Sequence, residues 1–315
     1  MKAIVKSLFL ATVWIAMIAV GHAAETASPE ATQYRTVKVD GLTVFYREAG
    51  RPDAPTLLLL HGFPSSSRMY EPLMTRLAGE YHLIAPDYPG FGYSDAPSAK
   101  TFAYTFDHLA TVIEHFTDAI GVKQYVLYMQ DYGGPVGMRL AIAHPERVKA
   151  FIIQNAVFHE EGLGPLWAKR REFWANRATN EAALRTTFLS VATTRQRHVG
   201  SNPNPQFIDP DRWNDEQAFL SRPGQADIQT DLFYDYRTNV ASYPAWGSWL
   251  REHQPRSLVI WGRYDPSFQI DEVAAYKRDV PTAETHVIDG GHFAIADKPD
   301  EVANLTKSFL ERLAK

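Results

Sequence analysis

The stretch VLYMQDYGGPVG, from Val126 to Gly137, predicts a β-strand, a sharp turn and then an α-helix. Many hydrolases place a nucleophilic serine at the tip of such a turn. Here the tip holds Asp131, and the serine motif G-x-S-x-G occurs nowhere in the 315 residues. A second interpretation is that Asp131 only caps the helix that follows, because carboxylate oxygens accept the free N–H groups of a first helical turn. The sequence must therefore be searched for partners of this carboxylate.

The composition indicates one globular domain that is large enough to carry an insertion. Hydrophobic residues make up 45% of the chain, and the net charge of -4 leaves no basic excess for a nucleic-acid partner. The absence of cysteine excludes disulfides, thiolate nucleophiles and cysteine metal ligands. The 11 histidines include no pair with metal-ligand spacing on a helix or strand. We therefore expect neither a metal nor a cofactor.

The N-terminus has the order of a secretory signal. Lys2 and Lys6 precede an apolar run of 13 residues, Leu8–Val20, and Gly21-His22-Ala23 resembles a small-x-small cleavage site. A membrane-spanning helix needs roughly 20 apolar residues, so this run is too short for a stable anchor. We predict that residues 1–23 are a cleaved signal peptide, that residues 24–33 are a flexible lead, and that the mature protein is secreted or periplasmic.

Strand and helix patterns then alternate along the chain. The apolar run Thr56–Leu60 is typical of a strand that is buried on both faces, and helix-like stretches separate it from later runs of the same kind. This alternation predicts an α/β fold with a mostly parallel sheet flanked by helices. It stops between residues 157 and 249, where helix-like patches predict a mostly helical insertion. Residues 34–156 and 250–315 would then form the core.

Four of the predicted strands are directly followed by residues that could take part in catalysis. HGFP (His61–Pro64), QDYGG with Asp131, GRYDP with Asp265 and GGHF with His292 each follow a strand run. The carboxyl ends of parallel strands meet at one edge of a sheet, so these groups are expected to lie together. His292 could then contact Asp131 while Asp265 accepts its other ring N–H. The alternatives are that His292 is a structural histidine and that Asp265 is only a turn residue.

The backbone near this carboxylate also suggests an oxyanion hole. The N–H groups of Phe63 and Tyr132 are the candidate donors, because Gly62 allows a close approach of the HGFP loop. The alternative is that HGFP is a plain turn.

In their order along the chain these motifs resemble the α/β-hydrolase superfamily. HGFP, APDYPGFGYSD, QDYGG, WGRYD and GGHF are similar to the branch that contains haloalkane dehalogenases and epoxide hydrolases. The resemblance covers nearly all of the mature protein. It implies an α/β-hydrolase fold in which Asp131 is the nucleophile, Asp265 the acid and His292 the base, with residues 157–249 as a cap over the site.

A carboxylate nucleophile suits displacement at a saturated carbon, because it is already ionised and forms an ester with the substrate. A dehalogenase needs donors for the departing halide, for which the resemblance suggests Tyr132 after the nucleophile and Trp174 in the cap. An epoxide hydrolase needs cap tyrosines, and DYRTN offers Tyr236. His61 is a further candidate contact of the substrate or leaving group.

We therefore predict a hydrolase that acts on a small apolar organic substrate with water, most similar to haloalkane dehalogenases. The alternatives are an epoxide hydrolase, hydrolysis of another bond by the same residues, and a catalytically silent member that only binds a ligand or partner.

Overall fold

The computed structural model describes residues 30–314. The predicted signal peptide and residues 24–29 of the predicted lead lie outside the described residues. Among residues 30–314, no helix combines the length and the apolar character that crossing a membrane requires.

A single sheet of eight strands forms the centre of the described chain, in the order β1-β2-β4-β3-β5-β6-β7-β8. The strands are β1 (Gln33–Val39), β2 (Leu42–Ala49), β3 (Thr56–Leu60), β4 (His82–Pro86), β5 (Tyr125–Gln130), β6 (Val148–Gln154), β7 (Ser257–Gly262) and β8 (Glu284–Ile288). The β1-β2 and β2-β4 pairs are antiparallel, and the pairs from β4 to β8 are parallel. The predicted mostly parallel sheet is confirmed.

Eleven α-helices accompany the sheet within residues 30–314. They are α1 (Glu71–Leu77), α2 (Phe106–Ala119), α3 (Gly133–Ala143), α4 (Trp167–Ala175), α5 (Arg177–Phe188), α6 (Val191–Val199), α7 (Asp211–Leu220), α8 (Gln225–His253), α9 (Asp271–Asp279), α10 (Ala294–Asp297) and α11 (Pro299–Leu313).

The strand β3 shows why its sequence is a continuous apolar run. Side chains alternate between the two faces of a sheet. Leu58 and Leu60 therefore join the hydrophobic cluster that includes residues of α2 and α3, whereas Leu57 and Leu59 join the cluster on α1 and α11. All four leucines are fully buried. Helices on both faces thus require apolar residues at every position of this strand.

The insertion between β6 and β7 carries helices α4 to α8, as the sequence predicts. Its longest helix, α8, has 29 residues and buries Ile228, Leu232, Tyr236 and Tyr243 along one face. These positions recur at helical spacing, which explains the amphipathic pattern. The helix passes without a break through the predicted cap boundary at residues 249 and 250. The cap segment and its connection to β7 therefore share one continuous helix.

Candidate active site

The turn between β5 and α3 presents Asp131 in an unusual backbone conformation. Its φ of 48° lies in the left-handed region, which is uncommon for residues other than glycine. The helix packs directly on β3 here, since a Cβ on Gly133 would lie 2.0 Å from the Leu60 carbonyl oxygen. Such strain persists only where the surrounding structure imposes it, and it clusters at functional sites. The tight turn places the carboxylate at the carboxyl edge of the sheet.

One oxygen of this carboxylate occupies a pocket of backbone donors. The N–H groups of Phe63 and Tyr132 donate to Asp131 Oδ1 at 2.9 and 2.6 Å. The loop after β3 comes this close because residue 62 is glycine: a Cβ there would lie 2.3 Å from the Cβ of Asp131. The two N–H groups predicted as oxyanion-hole donors therefore meet at one oxygen, and the other oxygen, Oδ2, lies on the side of His292.

His292 lies between two carboxylates. Its Nδ1 is 2.8 Å from Asp265 Oδ2, and its Nε2 is 3.5 Å from Asp131 Oδ2. Burial by itself would lower the pKa of His292, but the charges of Asp265 and Asp131 and their hydrogen bonds outweigh it and raise the pKa to about 10. The three residues predicted from separate strand ends are thus in contact.

Three residues that the sequence interpretation missed hold this group in place. Gln130 and Gln154 donate their side-chain amides to the backbone carbonyl of His292, and the Gln130 amide nitrogen also lies 3.0 Å from His292 Nε2. Asn155 donates to Asp265 Oδ2 at 2.8 Å and accepts from the Gly262 N–H. Each of them directly follows or ends a strand, which is the signal that could have identified them.

The space in front of Asp131 is small and mostly aromatic. A cavity of about 20 Å³ lies there, roughly the room for one water molecule. Its lining includes Phe63, Asp131, Tyr132, Trp167, Arg170, Phe188, Arg197, Phe233, Tyr236, Ser267 and His292. The cap residues Trp167, Arg170, Phe188, Arg197 and Phe233 were not predicted, because no local motif marks them.

Both predicted tyrosines line this cavity. The hydroxyl of Tyr132 is buried without a hydrogen-bond partner in the described chain, and that of Tyr236 lies 3.4 Å from the Tyr243 hydroxyl, a long contact. Their rings are 5.8 Å apart. Burial and the nearby negative charge of Asp131 raise the pKa of Tyr132 well above its usual value, so this hydroxyl stays protonated. Tyr132 is thus a donor with no acceptor within residues 30–314.

The structure does not bring Trp174 or His61 to the cavity. The indole N–H of Trp174 donates to the backbone carbonyl of Phe233 at 2.8 Å, so in this arrangement it is not a free donor for a leaving group. His61 is fully buried behind the loop: Nδ1 lies 3.1 Å from the Gly62 carbonyl oxygen, and the Tyr88 N–H donates to Nε2 at 3.4 Å. Both ring nitrogens of His61 are thus used by the backbone, which gives it a structural position.

No cluster of three or more His, Asp or Glu side chains with the geometry of a metal site occurs in the described part of the chain.

Comparisons with known proteins identify the family of this chain. The family model for the α/β-hydrolase fold matches residues 55–299. An uncharacterized hydrolase of Saccharomyces cerevisiae is 38% identical over 81% of this chain and 89% of its own length. Haloalkane dehalogenase 2 of Mycobacterium bovis is 28% identical over 79% of this chain and 85% of its own. Epoxide hydrolase 4 of Mus musculus is 26% identical over 88% of this chain and 79% of its own. The chain is therefore an enzyme that belongs to the α/β-hydrolase fold family.

Proposed function

We propose that this hydrolase uses Asp131 to attack a saturated carbon and forms an alkyl ester on the enzyme as an intermediate. The observation that carries the proposal is the placement of the two carboxylate oxygens. Oδ1 accepts two backbone N–H groups, whereas Oδ2 lies next to His292. A residue that only capped α3 would not need a second backbone donor, such as the N–H of Phe63 in the loop after β3.

The reaction proceeds in two displacements. Asp131 Oδ2 forms a bond to the substrate carbon, and the carbon–halogen bond breaks so that the halide leaves with the electron pair. Water then adds to the ester carbonyl carbon, and His292 Nε2 takes its proton. The negative charge that develops on Oδ1 is stabilised by the N–H groups of Phe63 and Tyr132. When this intermediate collapses, the bond to the alkoxide breaks and the alkoxide takes the proton from His292 and leaves as an alcohol. Asp131 is restored as a carboxylate by losing the second proton of the water to solvent.

Halide displacement is the leading form of this reaction because Tyr132 offers a donor beside the nucleophile. Its buried hydroxyl has no acceptor in the described chain, and it cannot ionise at neutral pH. A departing halide would supply that acceptor. The relation to haloalkane dehalogenase 2 is consistent with this form.

Epoxide opening is the second form, and Tyr236 favours it. Its side chain reaches the cavity from α8 and is 1% exposed, and its hydroxyl makes only the long contact with Tyr243. In this form the C–O bond of the epoxide breaks, and the oxygen stays attached and takes a proton from a tyrosine hydroxyl. A proton released when the ester is hydrolysed restores that hydroxyl. The ester on Asp131 and its hydrolysis by water and His292 are the same.

The shared intermediate is tested by His292→Gln. The ester still forms, since attack by an ionised carboxylate needs no base, but its hydrolysis is expected to slow by roughly 10²- to 10⁴-fold. Incubation with a haloalkane or an epoxide should therefore add the mass of the alkyl group to the peptide that contains Asp131, as measured by mass spectrometry.

The matched control is His253→Gln, a change at an exposed histidine at the end of α8, which should turn over normally. Asp131→Asn in the His292→Gln background should carry no label. Normal turnover by His292→Gln, or a label on another residue, would overturn the proposed mechanism.

A further inference from the structure

Two arginines reach the cavity in front of Asp131 from separate cap helices. Arg197 of α6 is 5% exposed, and its guanidinium carbon lies 4.7 and 4.8 Å from the ring centres of Phe63 and Phe188. Arg170 of α4 is half-buried, and its guanidinium carbon lies 4.1 Å from the ring centre of Trp167. Both line the cavity. The cap thus brings two positive charges to a pocket whose other walls are mostly aromatic.

These charges are not neutralised by a hydrogen-bonded carboxylate. Arg197 Nη2 donates to the backbone carbonyl of Phe188 at 3.0 Å, but its Nη1 is buried and has no partner within residues 30–314. Arg170 makes no hydrogen bond or ion pair with any residue in the described range. Arg47, which is also buried, shows the usual arrangement: its Nε pairs with Glu71 at 3.2 Å.

An unpaired guanidinium in such a place is costly. Burial and then the charge of Arg170 lower the pKa of Arg197 to about 10, and both arginines line the same cavity. Asp131 is near, but Oδ1 is held by two backbone N–H groups and Oδ2 faces His292. Buried charges are normally paired, so an anionic group of a ligand would be a suitable partner for these two arginines.

We propose that Arg170 and Arg197 bind a carboxylate of the substrate, so that this hydrolase acts on short organic acids that carry the leaving group near the acid. The inference rests on the proposed function, since it names the substrate class of the same site. A planar guanidinium matches the two oxygens of a carboxylate, and its cost of dehydration is lower than that of an ammonium group. Phe63, Phe188 and Trp167 line the same cavity, so they are the side chains that would contact the carbon skeleton.

A short organic acid differs from the small apolar substrate that the sequence alone suggests. The aromatic lining agrees with a small apolar molecule, but the two cations would remain unpaired beside it. A carboxylate satisfies Arg197 Nη1 and separates the two like charges. It also leaves the hydroxyls of Tyr132 and Tyr236 for the halide or epoxide oxygen.

The test is a measurement of ligand binding in the absence of turnover. Asp131→Asn prevents turnover and removes the repulsion between Asp131 and a bound anion. Propionate and propionamide, which have the same skeleton, are titrated into this variant by calorimetry at low salt. We expect propionate to bind at least about tenfold more tightly than propionamide. Adding Arg197→Met or Arg170→Met should weaken propionate binding by roughly 10- to 100-fold and leave propionamide nearly unchanged, as expected for loss of a hydrogen bond to a charged group.

The controls are Arg195→Met and Arg171→Met, two exposed arginines on the same helices, which should leave both affinities unchanged. If Arg197→Met fails to fold, Arg170→Met still decides, because Arg170 has no hydrogen bond to lose. Equal affinity for acid and amide, or equal losses for both ligands, would overturn the inference. Because binding is measured without turnover, this failure is distinct from failure of the ester to form on Asp131 in His292→Gln.

Discussion

The two sides of the cavity differ in how their polar groups are paired. On the core side, both oxygens of Asp131 and of Asp265 and both ring nitrogens of His292 have partners within the protein. On the cap side, Arg197 Nη1 has no partner among the described residues. These polar groups of the core side are therefore all paired without a ligand, whereas the cap side leaves a guanidinium nitrogen unpaired. Under the proposed function, the core side would carry out the reaction and the cap side would select the substrate.

The charged residues are divided between the core side and the cap side in the same way. The core side carries the carboxylates Asp131 and Asp265 with His292 between them, whereas the cap side carries Arg170 and Arg197. If this division holds, changes on the core side should alter ester hydrolysis for every substrate. Changes among the cap residues should instead discriminate between substrates.

The largest effect is expected for Asp265→Asn on the core side. Asp265 Oδ2 accepts from His292 and Asn155, and Oδ1 accepts from the N–H groups of Ser267 and Phe268. An amide has one oxygen, so in either orientation its NH₂ group faces donors. The tautomer and position of His292 are lost, and turnover should fall by about 10⁴-fold, as for an aspartate-to-asparagine change in a comparable triad.

The measurement is single-turnover kinetics, in which ester formation should change much less than ester hydrolysis. Asp289→Asn is the control, because Asp289 is exposed and pairs only with Arg263 and Tyr264 among the described residues. An equal loss in both steps would show that Asp265 supports the whole site rather than His292.

The pH dependence of ester hydrolysis should be the next largest effect. The pKa of His292 is raised to about 10 by two carboxylates, so the imidazolium form dominates at neutral pH before reaction. Ester formation removes the charge of Asp131 and thereby one cause of the high pKa, so the pKa of His292 falls. A base must be unprotonated, so the hydrolysis rate should rise about tenfold per pH unit below this lowered pKa and level off above it.

Ester formation depends on ionised Asp131 and should stay flat from neutral to alkaline pH. Rapid-mixing experiments from pH 6 to 10 separate the two steps. A hydrolysis rate that falls with rising pH would break the assignment of His292 as the base, and a midpoint at or above 10 would show that the charge of Asp131 does not control it.

The smallest effects are expected for changes at Tyr132 and Tyr236. These changes distinguish a departing halide from an epoxide oxygen. Tyr132→Phe should lower halide release roughly tenfold if its hydroxyl is the halide donor, because one hydrogen bond to a developing anion is lost. Tyr236→Phe should lower epoxide opening by a similar factor and affect halide release much less. Since such a donor acts as charge develops, kcat should change more than KM.

Initial rates on one haloacid and one epoxy acid of the same skeleton check this prediction. Tyr234→Phe is a control on α8 outside the cavity lining. A strong loss at Tyr236 with no effect at Tyr132 would favour the epoxide hydrolase over the dehalogenase.

The mostly parallel sheet and the residues at the core side of the cavity could be predicted from the sequence alone. These follow from local patterns: Thr56–Leu60 is apolar throughout because both faces of β3 are covered, and reactive residues such as Asp131 and His292 directly follow strands. Parallel strands then bring their ends to one edge for geometric reasons. The contacts that link Asp131, His292 and Asp265 thus lie where the strand ends predict them.

The residues that reach the cavity from the cap side could be identified only from the tertiary structure. Arg170 lies in a charged run, Lys169 to Glu172, whose pattern does not indicate which side chain turns inward, and Arg197 comes from a different helix. Trp174 was a reasonable candidate donor, yet its N–H is used by a backbone carbonyl on α8. The physical reason is that a strand end is positioned by its own hydrogen-bonded sheet, whereas a cap residue is positioned by how separate helices pack against each other.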